Sequence, residues 1–205
     1  MDKPLTRRQI VRQETIENIL SIAREEMKKN GVAALSLGVI AKRLGIRTPS
    51  LYTYFDSKNA IYDALFRRGF LEFERCMDER PFQNGPLRKN VISSLETYMR
   101  FAQENPELYQ LMFQRPVPQF VPSEESMAVS LGLLEKSKEQ FAHIFESGEL
   151  STDFPFAEAR DLFIAMQHGL TELHLANNPD LAVGNGRFGK LINQAVDLFL
   201  AAWQK

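Results

Sequence analysis

The chain has 205 residues, of which 44% are hydrophobic and 25% charged, enough to bury a sizeable core and too apolar for a wholly disordered polymer. No run approaches the ~20 uncharged apolar residues that cross a bilayer, and no apolar stretch follows the charged first eight residues, so neither a membrane span nor a secretion signal is expected. Cys76 stands alone, which excludes an internal disulfide and a Cys-rich zinc site, and these absences favour the cytoplasm.

The net charge of −1 conceals an asymmetry. Residues 1–60 carry 11 Lys and Arg against 6 Asp and Glu, whereas the remainder carries 14 against 20. A basic segment joined to an acidic body points to a polyanion partner at one end, although an excess this small is also what a solvated surface shows.

Apolar residues recur at helical spacing almost throughout, with no convincing alternation of strand type, and Gly and Pro divide the chain into about nine segments. The spacing predicts a first helix over 9–30, with Ile16, Ile19, Leu20, Ala23 and Met27 on one face and Gly31 as its stop. Two short helices follow over 37–44 and 49–54, then a long one from Ser57 that ends before Pro81. Beyond a loop over 81–86, helices are expected over 87–104 and 106–114. A Pro-rich connection over 116–122 then leads to a helix over 123–147 that stops at Gly148. The last two cover 156–177, ending at Asn178-Pro179, and a final run in which Phe188, Leu191, Ile192, Ala195, Val196, Phe199, Leu200 and Trp203 form one stripe. That stripe is core in a monomer; in a dimer it completes a four-helix bundle with the preceding helix of each subunit. Periodicity does not choose between them.

The two short helices carry the chemistry. Ser36 is placed to cap the first, in which Leu37, Ile40, Ala41 and Leu44 face inward, and Gly45 supplies the left-handed conformation of the turn. Thr48, restricted by the proline after it, suits the N-cap of the second helix, with Pro49 at its first position. Leu51 and Phe55 then point to the core. Arg47, Thr48, Ser50, Tyr52, Thr53 and Tyr54 remain for solvent or a ligand. A Gly-turned helix pair in a basic segment describes a helix-turn-helix, whose second helix enters a major groove. Hydroxyls and Arg bond phosphates and base edges there, and Ser57 with Lys58 at the next helix start makes a phosphate seat. The alternative is a helical hairpin with an exposed polar face.

Residues 15–65 resemble the DNA-binding domain of the TetR family. The likeness rests on Ile40-Ala41-x-x-Leu44-Gly45-Ile46 followed by Ser50-Leu51-Tyr52-x-Tyr54-Phe55-x-Ser57-Lys58. Arg47 stands where the family commonly has Ser, and Tyr54 where it has His, which bears on the operator sequence. The resemblance implies an all-α protein of about nine helices. An N-terminal three-helix DNA-binding domain (1–57) would precede a larger ligand-binding and dimerisation domain (58–205). It further implies a homodimer on a palindromic double-stranded operator, usually a repressor released by a small-molecule inducer. The family's DNA-contacting positions fall on Ser36, Thr48, Pro49, Ser50, Tyr52, Tyr54 and Lys58, and Arg47 joins them from its place on the exposed face.

In the C-terminal half, Tyr98-x-x-Phe101-Ala102-x-x-Asn105-Pro106-Glu107-Leu108-Tyr109 and His168-Gly169-Leu170 resemble the family's WHG sensor subtype. The match is partial, because the sole Trp is Trp203. Phe101, Phe113, Phe120, Phe141, Phe145, Phe154 and Phe163, with Tyr98, Tyr109, Met112 and Met166, are candidates to line an apolar pocket; the alternative is that most are core. Tyr98, Phe101, Tyr109, Met112, Phe113, Phe141, Met166 and His168 are taken as the ligand-binding set, for an apolar or aromatic effector. His168 and Glu172 share a helix face, but no further metal ligand has recognisable spacing, so neither a metal nor another cofactor is expected.

No Gly-rich phosphate loop, nucleophile elbow or HExxH occurs, and no enzymatic activity is expected. The expected function is ligand-responsive, sequence-specific DNA binding by a homodimer joined through its last two helices, with no membrane partner. The competing reading is a helical small-molecule carrier or protein-interaction module without DNA function.

Overall fold

The computed structural model describes residues 5–79, 86–146 and 156–203, with side chains for all of these except 140–146 and 156. The expected 81–86 loop lies outside them up to Pro86, as do the Gly148 stop and Phe154. So do the side chains of Phe141 and Phe145. Among the described residues the structure is helical, without strands. The helices are α1 Arg7–Asn30, α2 Leu37–Leu44, α3 Thr48–Leu51, α4 Lys58–Asp78, α5 Leu87–Glu104, α6 Pro106–Phe113, α7 Glu124–Glu146, α8 Phe156–Asn177, α9 Gly186–Gly189 and α10 Ile192–Ala201. With the one-turn α9 counted into the C-terminal run, these are the nine expected segments.

The chain packs as two units. One comprises Met1–Gly69 with Pro106–Met127, the other Phe70–Asn105 with Ala128–Lys205. In the first, α1 starts from a capping box in which the Gln9 N–H donates to Thr6 Oγ1 and the Thr6 N–H to Gln9 Oε1. It ends at Gly31, whose φ of 88° only glycine adopts readily. Ile19, Leu20, Ala23 and Met27 are buried and Ile16 half-buried, as the spacing predicts. α6 belongs to this unit through α1: Arg24 Nε donates to Glu107 Oε1 at 2.6 Å, and the Glu107 side chain is buried. The start of α7 is anchored on α4, where the Asp63 carboxylate accepts from the Ser123 N–H, the Ser123 hydroxyl and the Ser126 hydroxyl. Phe120, from the Pro-rich connection, packs its ring on Tyr62 and Phe66.

The second unit is built around α5, α8 and α10. Its core joins Leu87, Val91, Leu95 and Met99 of α5 to Ala159 and Phe163 of α8 and to Ile192, Val196, Leu200 and Trp203. The C-terminal apolar stripe is therefore core within one chain, and a break divides it: Lys190 and Leu191 separate the single turn of α9 from α10. The break is one tight turn: Lys190 and Leu191 keep right-handed helical dihedrals, and the Leu191 N–H donates to the Phe188 carbonyl three residues back. Upstream, Gly184 and Gly186 adopt positive φ and the Arg187 N–H donates to Asn178 Oδ1, so the chain enters α9 from a bent loop. Gln103 Nε2 donates to the carbonyls of Pro179 and Leu181, tying the same loop to α5.

Candidate nucleic-acid interface

The turn between α2 and α3 follows from its residues. Gly45 adopts φ 70°, its N–H donates to the Lys42 carbonyl, and the Ile46 N–H donates to the Ala41 carbonyl at 3.0 Å. This crossed pair of bonds closes a helix C-terminus that needs a left-handed residue, hence the glycine. Ile40 and Ala41 are buried, and Leu37, Leu44 and Ile46 are half-buried beneath the turn.

α3 begins one residue earlier than its sequence predicts. Arg47, not Thr48, occupies the N-cap, with extended φ −80° and ψ 144°, and Thr48 is already helical. Pro49 has no N–H to donate, so the first donor of the turn is Ser50, which reaches back to the Arg47 carbonyl at 2.8 Å and draws Thr48 into the helix. Ser36 occupies the N-cap of α2 without its hydroxyl bonding there, whereas Ser57 caps α4 by accepting from the Ala60 N–H at 3.1 Å. Past Leu51 the chain continues in tight turns: the Thr53 N–H donates to the Ser50 carbonyl, and the N–H groups of Tyr54 and Phe55 to the Leu51 carbonyl.

Leu51 anchors this element, being 1% exposed, and Phe55 is half-buried. The opposite side is open. Arg47, Pro49, Ser50 and Thr53 are exposed, Tyr52 is 51% exposed, and Thr48 and Tyr54 are half-buried. Ser36 is exposed at the start of α2. Lys58 is half-buried: its ammonium lies 3.4 Å from the Ala33 carbonyl and 5.5 Å from the centroid of the Tyr62 ring. Tyr62 in turn donates its hydroxyl to the Val32 carbonyl at 2.7 Å, and burial pushes its pKa up to about 12, so it remains a donor.

Sequence reasoning passed over the first turns of α1. Arg7, Arg8, Val11 and Arg12 line a cleft of about 630 Å³ whose other wall is Thr53 and Tyr54. Arg8 and Arg12 are one helical turn apart, a legible spacing, but their apposition to a loop some forty residues later is not.

The residues expected to bind a ligand are divided between the two units. Tyr109, Met112 and Phe113 lie on α6 in the first, where the ring of Tyr109 meets that of Phe113 and Met112 packs against Gly69. In the second unit the Tyr98 hydroxyl lies 2.9 and 3.1 Å from the two ring nitrogens of His168. Phe73 packs on both Tyr98 and Phe101, and Met166 packs against the α5–α8–α10 core. Burial lowers the His168 pKa, opposed by Glu172. Among the described residues no three His, Cys, Asp or Glu side chains are placed to hold a metal ion, and no helix is long and apolar enough to cross a membrane.

The N-terminal part, residues 19–65, matches the profile of "Bacterial regulatory proteins, tetR family", and residues 91–196 match "Tetracyclin repressor-like, C-terminal domain". The HTH-type transcriptional regulator YobS of Bacillus subtilis is 31% identical over 97 residues, 47% of this chain and 50% of YobS. The chain spans about half the length of the curated relatives it matches. A TetR family transcriptional regulator from Chloroflexus aurantiacus superposes with a TM-score of 0.70 at 19% identity, over 94% of each chain. The regulator FadR of Bacillus subtilis, solved in complex with stearoyl-CoA, gives 0.69 at 17%, over 90% of this chain and 97% of its own. At these identities the structural likeness concerns the fold.

A glycine-turned pair of short helices, with the second held by one buried leucine and open on its polar side, is a helix-turn-helix. The chain belongs to the TetR family. That family is regulatory rather than enzymatic.

Proposed function

We propose that the protein is a homodimeric, ligand-released repressor in the cytoplasm, with residues 1–57 as the DNA-binding part and 58–205 as the ligand-binding and dimerisation part. The observation that carries this reading is the exposed polar side of α3 and the turn after it. Ser50 and Tyr52 stand clear of the protein beside Arg47, Thr48 and Pro49, in a segment of net positive charge. Tyr54 flanks them, and Ser36 and Lys58 lie at the starts of α2 and α4, where phosphates are bound.

The dimer forms through α8 and α10. Leu162, Ala165, Gly169 and Leu173 make an exposed stripe on α8, small in its middle, and Leu198 on α10 is 74% exposed. A four-helix bundle made from two copies buries both faces and holds two copies of α3 for successive major grooves, about 34–36 Å apart. The effector is apolar or aromatic; the candidate contacts are Tyr109, Met112 and Phe113 in the first unit, and Tyr98, Phe101, Phe141, Met166 and His168 in the second. FadR of Bacillus subtilis, which shares the fold, was solved with stearoyl-CoA, whose acyl chain is apolar. Effector binding weakens the operator complex by a coupling of about 1–3 kcal/mol.

The test is a mobility shift across a salt series with the wild type, Tyr52→Ala and Lys58→Ala. Tyr52→Ala should cost about 1–3 kcal/mol of operator affinity. Lys58→Ala should weaken all duplexes and reduce the slope of log affinity against log salt by about one. Sedimentation should show both variants still dimeric. Operator affinity unchanged in both would remove the assignment.

A further inference from the structure

α1 starts at Arg7, twelve residues before the family profile begins its match at residue 19. This leading stretch folds back on the turn that follows α3. Arg12 Nη2 donates to the Thr53 carbonyl at 3.2 Å, and the guanidinium carbon lies 5.6 Å from the centroid of the Tyr54 ring. The turn has little else to hold it. α3 is four residues long, too short to be stable by its own backbone bonds. After Leu51 its internal ties are the 3.3 Å bonds from the Tyr52 N–H to the Pro49 carbonyl and from the Thr53 N–H to the Ser50 carbonyl, the 2.8 Å bond from the Thr53 hydroxyl to the Ser50 carbonyl, and the two bonds to Leu51.

We propose that Arg12 is a positioning residue for DNA recognition: by gripping the Thr53 carbonyl and covering the Tyr54 ring, it holds the 52–54 turn so that Tyr52 faces the duplex. The proposal rests on the regulator reading above. A planar guanidinium performs both tasks at once, stacking on a ring while donating in its own plane; a lysine ammonium has neither the plane nor the fork. Tyr54, where the family commonly has His, supplies a wide ring for that stacking. Arg12 thus acts through Thr53 and Tyr54 on the recognition element, rather than through a phosphate.

The probe is a duplex selected by the wild-type protein from a random-sequence pool, with an unselected mixed-sequence duplex beside it. Affinity for both is measured over a salt series for the wild type, Arg12→Ala, Arg12→Lys, Tyr54→Leu and the Arg12→Ala, Tyr54→Leu double variant. Because each dimer loses two grips, Arg12→Ala and Arg12→Lys should each lose about tenfold for the selected duplex. Their salt slope and mixed-sequence binding should stay near those of the wild type. The double variant should lose less than the sum of the two single losses, because Tyr54→Leu already removes the ring that Arg12 covers and leaves only the Thr53 bond to lose.

A slope lowered by about one would make Arg12 a phosphate contact, and near-wild-type recognition by Arg12→Lys would make its charge sufficient; either overturns the proposal. So would losses that simply add in the double variant. Arg12 is exposed, and helical content by circular dichroism reports whether each variant is folded. If the wild type selects no duplex at all, the regulator reading falls and the Arg12 role falls with it. If the wild type selects one and the arginine variants behave as it does, only the Arg12 role falls.

Discussion

At the scale of single residues, two polar groups, Tyr62 buried and His168 half-buried, have measurable consequences. Tyr62 is fully buried and donates its hydroxyl to the Val32 carbonyl. Tyr62→Phe leaves that carbonyl without its donor and should cost about 1–3 kcal/mol in urea unfolding; an unchanged midpoint would show that the bond contributes nothing. His168 sits against Tyr98, and burial holds its pKa below the usual imidazole value. The folded state then binds fewer protons than the unfolded one. Its contribution is complete above the unfolded pKa of about 6.5 and is lost as the pH falls through the lower folded value. Stability should therefore decline as the pH falls below about 6.5, and His168→Gln should flatten that decline. Equal declines in both proteins would assign it to other groups. Gly45 was legible because one residue type answers one backbone need. Arg12 was not, since its partners Thr53 and Tyr54 are distant in the chain and only tertiary packing brings them near.

Among the elements, long helices were the most legible, because an apolar face repeated over several turns leaves one solution. α5 and α8 have the bounds that their periodicity predicts. The short ones were shifted or divided. The preference of a residue before proline for extended backbone argued for Thr48 as the cap, but the need of the Ser50 N–H for an acceptor prevailed and moved the cap to Arg47. The C-terminal run read as one helix because its stripe continues in phase through Leu191; the tight turn at Lys190 and Leu191 keeps helical dihedrals and so leaves no mark in the periodicity. One close approach between elements is testable. A Cβ on Gly69 of α4 would fall 2.5 Å from Met112 Sδ and 3.6 Å from Leu108 Cβ on α6. Gly69→Val should destabilise the protein by about 1–3 kcal/mol through overpacking, and adding Met112→Ala should recover most of the loss. Stability equal to wild type in the single variant would mean that α6 yields freely.

For the whole molecule, the sequence left open whether the last apolar stripe is core or dimer seam, since both bury it equally well. It is core, and what α10 leaves exposed is the face carrying Leu198. Leu198→Asp, paired with Leu162→Asp, should turn a sedimenting dimer into a monomer, lower operator affinity at least tenfold, and leave the helical content unchanged. A dimer that survives both substitutions would place the subunit contact elsewhere. Which aromatic residues would contact a ligand was the least legible part, because an aromatic side chain looks the same in sequence whether it lines a cavity or fills one.

The unit that carries α3 is discontinuous in the chain, since α6 and the start of α7 return to it after 36 residues that belong to the other unit. During synthesis, then, the bonds of Arg24 with Glu107 and of Asp63 with Ser123 and Ser126 cannot form until α6 and the start of α7 have emerged from the ribosome. Nascent chains stopped short of α6 should be readily cut by protease within α1 and α4, and become resistant only once the α7 start is free. The unit that carries α3 is thus completed by residues translated well after it, and its folding waits on them.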